Sequence, residues 1–446
     1  MNTVNPELRR NLWLEFSTHR VIAAPVVIGL IALLMLAAES KDVLHNITMA
    51  AAFGYVAVVL LWGTKLASDS VIEEARDRTW DAQRMSSITP WRMTWGKLLG
   101  APSYAWYVGG ILLLIFMLTG GLVNIPVLRY AALMLCGAIL LHAMALNGSV
   151  LAARKGMSRR GTVTMLIVIL AFAWMGPGLH VIDNMEKSVA WWGLSVSQLN
   201  FSLGTAAVFG AWAVLGAYRS MCNELEIRTT PWALPLFMLF TAAYFAGFPL
   251  REIHSAGDPR AFFGVMATGV IVAMVFSYSL LFAEKSGATE WQRLRARVQA
   301  RQWRRALQEM PLWLAALCVG IVMALAASVT GSGSGSGSDG RMLNHIGAAP
   351  IALMLFAIRD AAIFQFFALA RQPRRVEAAT LFYLMLLYGL LPGLLKAFGA
   401  DVVAQFILPP LSNSAAFSVA VMAVQAALAI ALAYTRWRTI HAPDVT

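Results

Sequence analysis

Long apolar runs alternate with short polar, mostly basic stretches along the whole chain. A bilayer core about 30 Å thick is crossed by about 20 apolar helical residues. Runs of that kind extend from Val21 to Ala38, Ile47 to Leu66, Tyr104 to Leu118, Val127 to Ala152, Val163 to Leu179 and Phe201 to Ala217. A second set runs Trp232 to Phe248, Phe262 to Ala283, Leu312 to Val329, Ile346 to Ala370, Ala379 to Phe398 and Ala415 to Tyr434. The pattern predicts an all-α polytopic membrane protein of about twelve transmembrane helices. Two polar segments with helical periodicity interrupt it, at 68–98 and 284–310.

Composition strengthens the reading. The chain is 59% apolar and 13% charged with a mean hydropathy of +0.65, against about half and a quarter in soluble domains. The start, MNTVNPELRRNLWLEFSTHR, is polar and amphipathic, and no small-residue cleavage site follows the first apolar run, so the first span is expected to stay. Lys and Arg beside spans are retained in the cytoplasm. Most of the 35 basic residues fall on one face when both termini are placed there. Topology then accounts for the net charge of +12 without a nucleic-acid partner. The location implied is a bacterial cytoplasmic (inner) membrane, with lipids as neighbours.

Chemistry-bearing residues are sparse. Cys136, Cys222 and Cys318 lie in or beside spans as apolar fillers, and the seven histidines are dispersed, so neither a disulfide framework nor a metal cluster is expected. No G-x-x-x-x-G-K-[ST] phosphate loop occurs, so no nucleotide is expected on this chain. TGSGSGSGSDG, from Thr330, is a flexible linker.

The two polar segments rhyme: each places acidic residues first, then a tryptophan (Trp80, Trp291), then basic residues, then a return to lipid. The fourth and tenth spans also rhyme. Two six-helix halves are therefore expected, 1–220 and 221–446.

In SVIEEARDRTWDAQRMSSITPWRMTWGK (Ser70 to Lys97), Ile72, Ala75, Thr79, Ala82 and Met85 recur at helical spacing, and Glu74 and Arg78 form an i,i+4 pair. Thr89 and Pro90 end one helix and start another. By composition alone the segment is either an amphipathic loop on anionic headgroups or a docking helix for a cytoplasmic partner.

The run Glu74, Arg76, Arg78, Thr79, Trp80, followed by SSITPWRMTWGKLLGA, resembles the stretch after the second span of type-2 ABC transporter permeases, the exporter class. The resemblance implies a coupling helix that fits a cleft on a separate cytoplasmic ABC ATPase subunit, with ATP bound there and two ATPase copies engaged. It assigns coupling to Glu73, Glu74, Arg78, Thr79, Trp80 and Arg84, and to Trp291 and Arg295 in the second copy. That copy lacks the Thr-Pro turn.

Ionisable groups deep in a span are costly and normally face the bundle or a water-filled cavity. Arg359 and Asp360 sit in the tenth span and His142 in the fourth, as candidates for a translocation path or a buried clamp. Neighbouring helical residues point about 100° apart, so Arg359 and Asp360 are each expected to find a partner on another helix. The function expected is the permease subunit of an ATP-driven exporter without its own catalytic site. The alternative is an ion-driven carrier coupled through Asp360; an intramembrane lipid-modifying enzyme lacks a catalytic cluster.

Overall fold

The computed structural model describes residues 5–37, 42–123, 125–154, 187–227, 229, 232–248, 259–284, 287–331, 349–370, 376–407 and 415–441. The chain divides into two compact units, Met1–Val189 with Ser195–Thr229, and Ala190–Leu194 with Thr230–Thr446. Among the described residues, ten helices are long and apolar enough to cross a membrane, so the chain is an all-α, multi-pass membrane protein. The expected span Trp232 to Phe248 appears as a shorter apolar helix, Ala233–Ala246. The expected span Val163 to Leu179 lies outside the described residues, as does the Gly/Ser linker apart from Thr330 and Gly331, which end the helix Leu312–Gly331.

The first unit opens with α1 (Pro6–Glu15), capped by the Asn5 side chain, which accepts from Glu7 N with Pro6 at the first helical position. Then come α2 (Thr18–Ala37), α3 (Val43–Arg76), α4 (Trp80–Arg84), α5 (Pro90–Gly100), α6 (Ser103–Leu122) and α7 (Val127–Arg154). A short hairpin, β1 (Ser188–Trp191) and β2 (Leu194–Ser197), precedes α8 (Gln198–Glu224). Helix α3 packs on α6 and α7, and α7 packs on α8. Tyr55, Val59, Leu112 and Leu141 are buried between α3, α6 and α7 in one cluster, and Met93 and Leu98 of α5 join Leu146 of α7 and Met221 of α8 in another.

The second unit holds α9 (Ala233–Ala246), α10 (Pro259–Ala283), α11 (Ala288–Gln299), α12 (Trp303–Glu309) and α13 (Leu312–Gly331). It continues with α14 (Ala349–Ala368), α15 (Val376–Ala397), α16 (Asp401–Ile407) and α17 (Ala415–His441). Here α10 packs on α13 and α14, and α14 packs on α17, the same order of pairings as α3, α6, α7 and α8.

Both α3 and α15 contain π-helical turns, at Val56–Gly63 and Leu386–Leu390. Such turns shift the backbone bonding register inside a helix and recur at functional positions.

Three helices end on a residue other than glycine in the left-handed region: Arg78 (φ 58°), Glu226 (φ 56°) and Arg301 (φ 56°). In each case the next amide returns to the helix: Thr79 N to Glu74 O, Ile227 N to Cys222 O and Gln302 N to Arg297 O. This six-to-one bond is the Schellman ending that glycine usually supplies.

Candidate coupling site and intramembrane polar centres

The 70–97 segment is a helix, a break, one short helix and a re-entry helix, but its buried face is not the expected one. Helix α3 stops at Arg76, and the left-handed Arg78 redirects the chain into α4. That break changes the phase of the pattern. Ile72 is buried, whereas Thr79, Ala82 and Met85 are exposed, Met85 at 83%. Trp80, expected to face a partner, is turned inward at 6% exposure and packs with Val71, Met93, Leu98 and Met221. Its indole Nε1 donates to Glu224 Oε2 (3.4 Å), and Arg84 Nε donates to the Glu224 carbonyl (3.0 Å). Trp80 and Arg84 thus brace α4 against the end of α8.

The Glu74–Arg78 pair does not form. Arg78 is exposed, and Glu74 turns to the other side, where Lys97 Nζ, Arg10 Nη2 (2.5 Å) and Gln83 Nε2 (2.7 Å) donate to its carboxylate. Lys97, only 1% exposed, also reaches Glu7 Oε1 (3.4 Å) and lies 5.2 Å from the Trp80 ring centre. Two carboxylates and two cations therefore balance in one cluster, buried at Lys97 and Glu7 and open to solvent at Arg10. It joins α1, α3 and α5 and shares Trp80 with α4. A buried ion pair holds when its partners also satisfy each other's hydrogen-bonding capacity, and removing one partner is costly.

Glycine makes the close approach possible. A Cβ on Gly96 would stand 2.6 Å from Glu7 Cβ and Cγ, and one on Gly100 would stand 3.0 Å from Asn11 Cβ. The spacing of these glycines in GKLLG is the small-x-x-x-small signature of tightly packed helices. It was the readable signal for a partner helix here, and Glu7, Lys97 and Glu224 are the participants that periodicity alone did not reveal.

Among the residues that remain outward on the segment are Glu73, Arg78, Thr79, Asp81, Ala82 and Met85. Asp81 is 81% exposed, with Arg84 Nη1 3.5 Å from its carboxylate. Thr89 fulfils its capping role, its hydroxyl accepting from Arg92 N (3.5 Å) ahead of Pro90.

In the second unit the corresponding segment is the α11–α12 pair. Glu284 caps α13 by accepting from Leu312 N (3.0 Å) and Trp313 N (3.5 Å). Trp291 Nε1 donates to Gln365 Oε1 (3.1 Å) and its ring meets Trp313 edge-on, so it too is a brace. Arg295 is exposed beside Arg293, Arg301, Arg304 and Arg305, while Arg297 pairs with Glu309 at 3.2 Å.

Arg359 and Asp360 pair with each other, contrary to the expectation from their angular separation: the long Arg359 side chain folds back so that Nε donates to Asp360 Oδ1 (2.9 Å). Partners on other helices are present as well. Tyr278 of α10 (2.6 Å) and Tyr388 of α15 (2.7 Å) both donate to Asp360 Oδ2, and Arg359 Nη1 donates to Gln425 of α17 (2.7 Å). The guanidinium also lies 5.0 Å from the Phe356 ring centre and 4.9 Å from that of Tyr388. Both residues are almost fully buried, so four helices meet on one polar knot, in which Arg359 Nη2 has the ion-pair contact with Asp360 Oδ1 (2.8 Å) but no hydrogen bond of its own.

His142 is fully buried on α7, its Nε2 2.8 Å from the Val59 carbonyl inside the α3 π-helical turn. A Cβ on Gly63 would stand 2.8 Å from the same nitrogen. Tyr388 likewise lies in the α15 π-helical turn, so each π turn engages one buried polar centre. Among the described residues no group of three or more His, Cys, Asp or Glu is placed to hold a metal.

Comparison of the chain with family models, with curated proteins and with solved structures finds no match.

Proposed function

We propose that the chain is the membrane permease subunit of an ATP-driven exporter of the ABC class, in the bacterial cytoplasmic membrane with both ends in the cytoplasm. Twelve spans form two six-helix halves, and ATP is bound and hydrolysed on separate cytoplasmic ATPase subunits. The observation that carries this reading is α4: a short helix with an outward face, fixed from behind by Trp80, Glu224 and the Lys97 cluster. A lever that passes force between an ATPase and membrane helices needs such a rigid seat, because a loosely tethered loop would absorb the displacement. The matching order of helix pairings in the two units supports duplication.

Asp360 suits a clamp better than an ion-coupling group, since both its oxygens already accept from Arg359, Tyr278 and Tyr388. The test is co-purification from the native membrane, with the captured chain identified by its nucleotide-binding peptides and assayed for ATP turnover. A captured ABC ATPase whose turnover rises with this chain supports the reading. Transport that follows a proton or sodium gradient with no dependence on ATP replaces it with the ion-driven carrier.

A further inference from the structure

Helix α2 stands apart within the first unit. It is the least buried of the ten long apolar helices, and between it, α3 and α6 runs a cavity of about 460 Å³. Along α2 the lining reaches from Ala23 to Met35, about 18 Å at 1.5 Å per residue. That is close to the depth of one leaflet of a core about 30 Å thick. The walls are apolar throughout this length, with Val27, Ile31, Ala50, Val108 and Leu112 among them.

One mouth differs in chemistry. Trp62 and Tyr104 line it with rings edge to face at 6.0 Å, and Phe16 and Tyr107 extend the aromatic collar. Arg20 lies over Tyr104, with 5.8 Å from Cζ to the ring centre, and the Tyr104 hydroxyl donates to the Arg20 carbonyl (3.1 Å). Lys65, exposed and three residues beyond Trp62, supplies a second cation. Glu15, which pairs with Arg20 at 3.1 Å, offsets part of the charge. Aromatic side chains at the headgroup level, cations beside them and an apolar slot one leaflet deep match an anionic amphiphile in each of its parts. The slot is not enclosed, and its apolar walls leave it to be filled by an apolar chain rather than by water.

We propose that this groove binds one acyl chain of an anionic phospholipid, with the phosphate held between Arg20 and Lys65. The site is independent of the exporter reading and stands or falls without it.

The experiment uses the full chain in vesicles of phosphatidylethanolamine containing phosphatidylglycerol that carries a diazirine at the acyl terminus. Illumination should place adducts at the deep end of the groove, on peptides bearing Met35 and Ile47. Ala50→Phe and Ala32→Phe each occupy the slot from a wall that is not fully buried, and each should cut those adducts at least five-fold while leaving labelling of Phe417–Thr439 unchanged. Arg20→Gln with Lys65→Gln should lower labelling by phosphatidylglycerol several-fold but not labelling by the matching phosphatidylcholine probe. Adducts spread evenly over the apolar helices, or insensitive to both phenylalanines, overturn the site. Equal labelling of the wild type by the two lipids overturns the anionic assignment.

Discussion

Lys97 answers for two carboxylates from a position with almost no access to water, and its removal would leave Glu7 and Glu74 with the exposed Arg10 as their remaining cation. Breaking a buried pair from one side costs about 3–5 kcal/mol. Lys97→Met should therefore lower the thermal midpoint in detergent sharply, and Lys97→Met with Glu7→Gln should recover part of the loss because one orphaned charge is gone. If the single variant melts like the wild type, the cluster is not structural. Gly96→Ala tests the same contact by shape alone, since its new methyl would overlap Glu7. Overpacking of that kind costs about 1–3 kcal/mol, read as a lower midpoint and as easier proteolysis of α1. In the sequence Lys97 stands out only as part of the GKLLG stretch of the resemblance. Its true role depends on Glu7, ninety positions earlier, and no periodicity within one segment can report a pairing at that distance.

At the scale of elements, the long spans were legible because lipid imposes a simple rule on them, and the Thr89–Pro90 helix start was legible because capping is local. The face of the coupling segment was not. The expected stripe assumed one continuous helix, and the break falls at Arg78, a residue that carries none of the glycine signal by which Schellman endings are recognised. The π-helical turns were hidden as well, and the polar contacts they make, Val59 O with His142 and the Tyr388 hydroxyl with Asp360, come from other helices. Arg78→Gly should relieve the left-handed strain and stabilise the fold by up to about 1 kcal/mol, seen as a small rise in midpoint. The inward Trp80 separates fold from docking. Trp80→Ala should lower stability by about 3–5 kcal/mol, as large core truncations do. Asp81→Arg, which also gives up an exposed ion pair with Arg84 of little worth to stability, and Met85→Glu alter the outward face and should leave the midpoint nearly in place while weakening ATPase capture at least ten-fold. Unchanged capture by both outward variants would return α4 to the role of a headgroup-bound loop.

At the scale of the whole molecule, the alternation of apolar and basic stretches carried the multi-pass architecture, whereas the number of working halves per chain is a matter of assembly. Orientation comes first. In a chain with Cys136, Cys222 and Cys318 replaced by alanine, cysteine at the exposed Ser86 should resist an impermeant thiol reagent in intact cells, and cysteine at the exposed Ser195 should react. Reversed labelling would place both polar segments outside and remove any contact with an ATPase. Stoichiometry follows from the proposed duplication. ATPases of the resembled class work as pairs, and the proposed function gives this chain two coupling segments, α4 with its flanking turns and the α11–α12 pair. One chain should then bind two ATPase subunits. The two contacts differ in chemistry: α4 presents Arg78 together with Asp81 and Met85, whereas α11–α12 presents Arg293, Arg295, Arg301, Arg304 and Arg305. Unequal surfaces imply unequal affinities, so Asp81→Arg should shed one ATPase before the other and leave an intermediate of one to one. Native mass measurement of the detergent-extracted complex reads this directly. A wild-type complex holding two copies of this chain with two ATPases would show that each chain offers a single working contact, and the repeat in helix pairing would then be architecture without a matching division of labour.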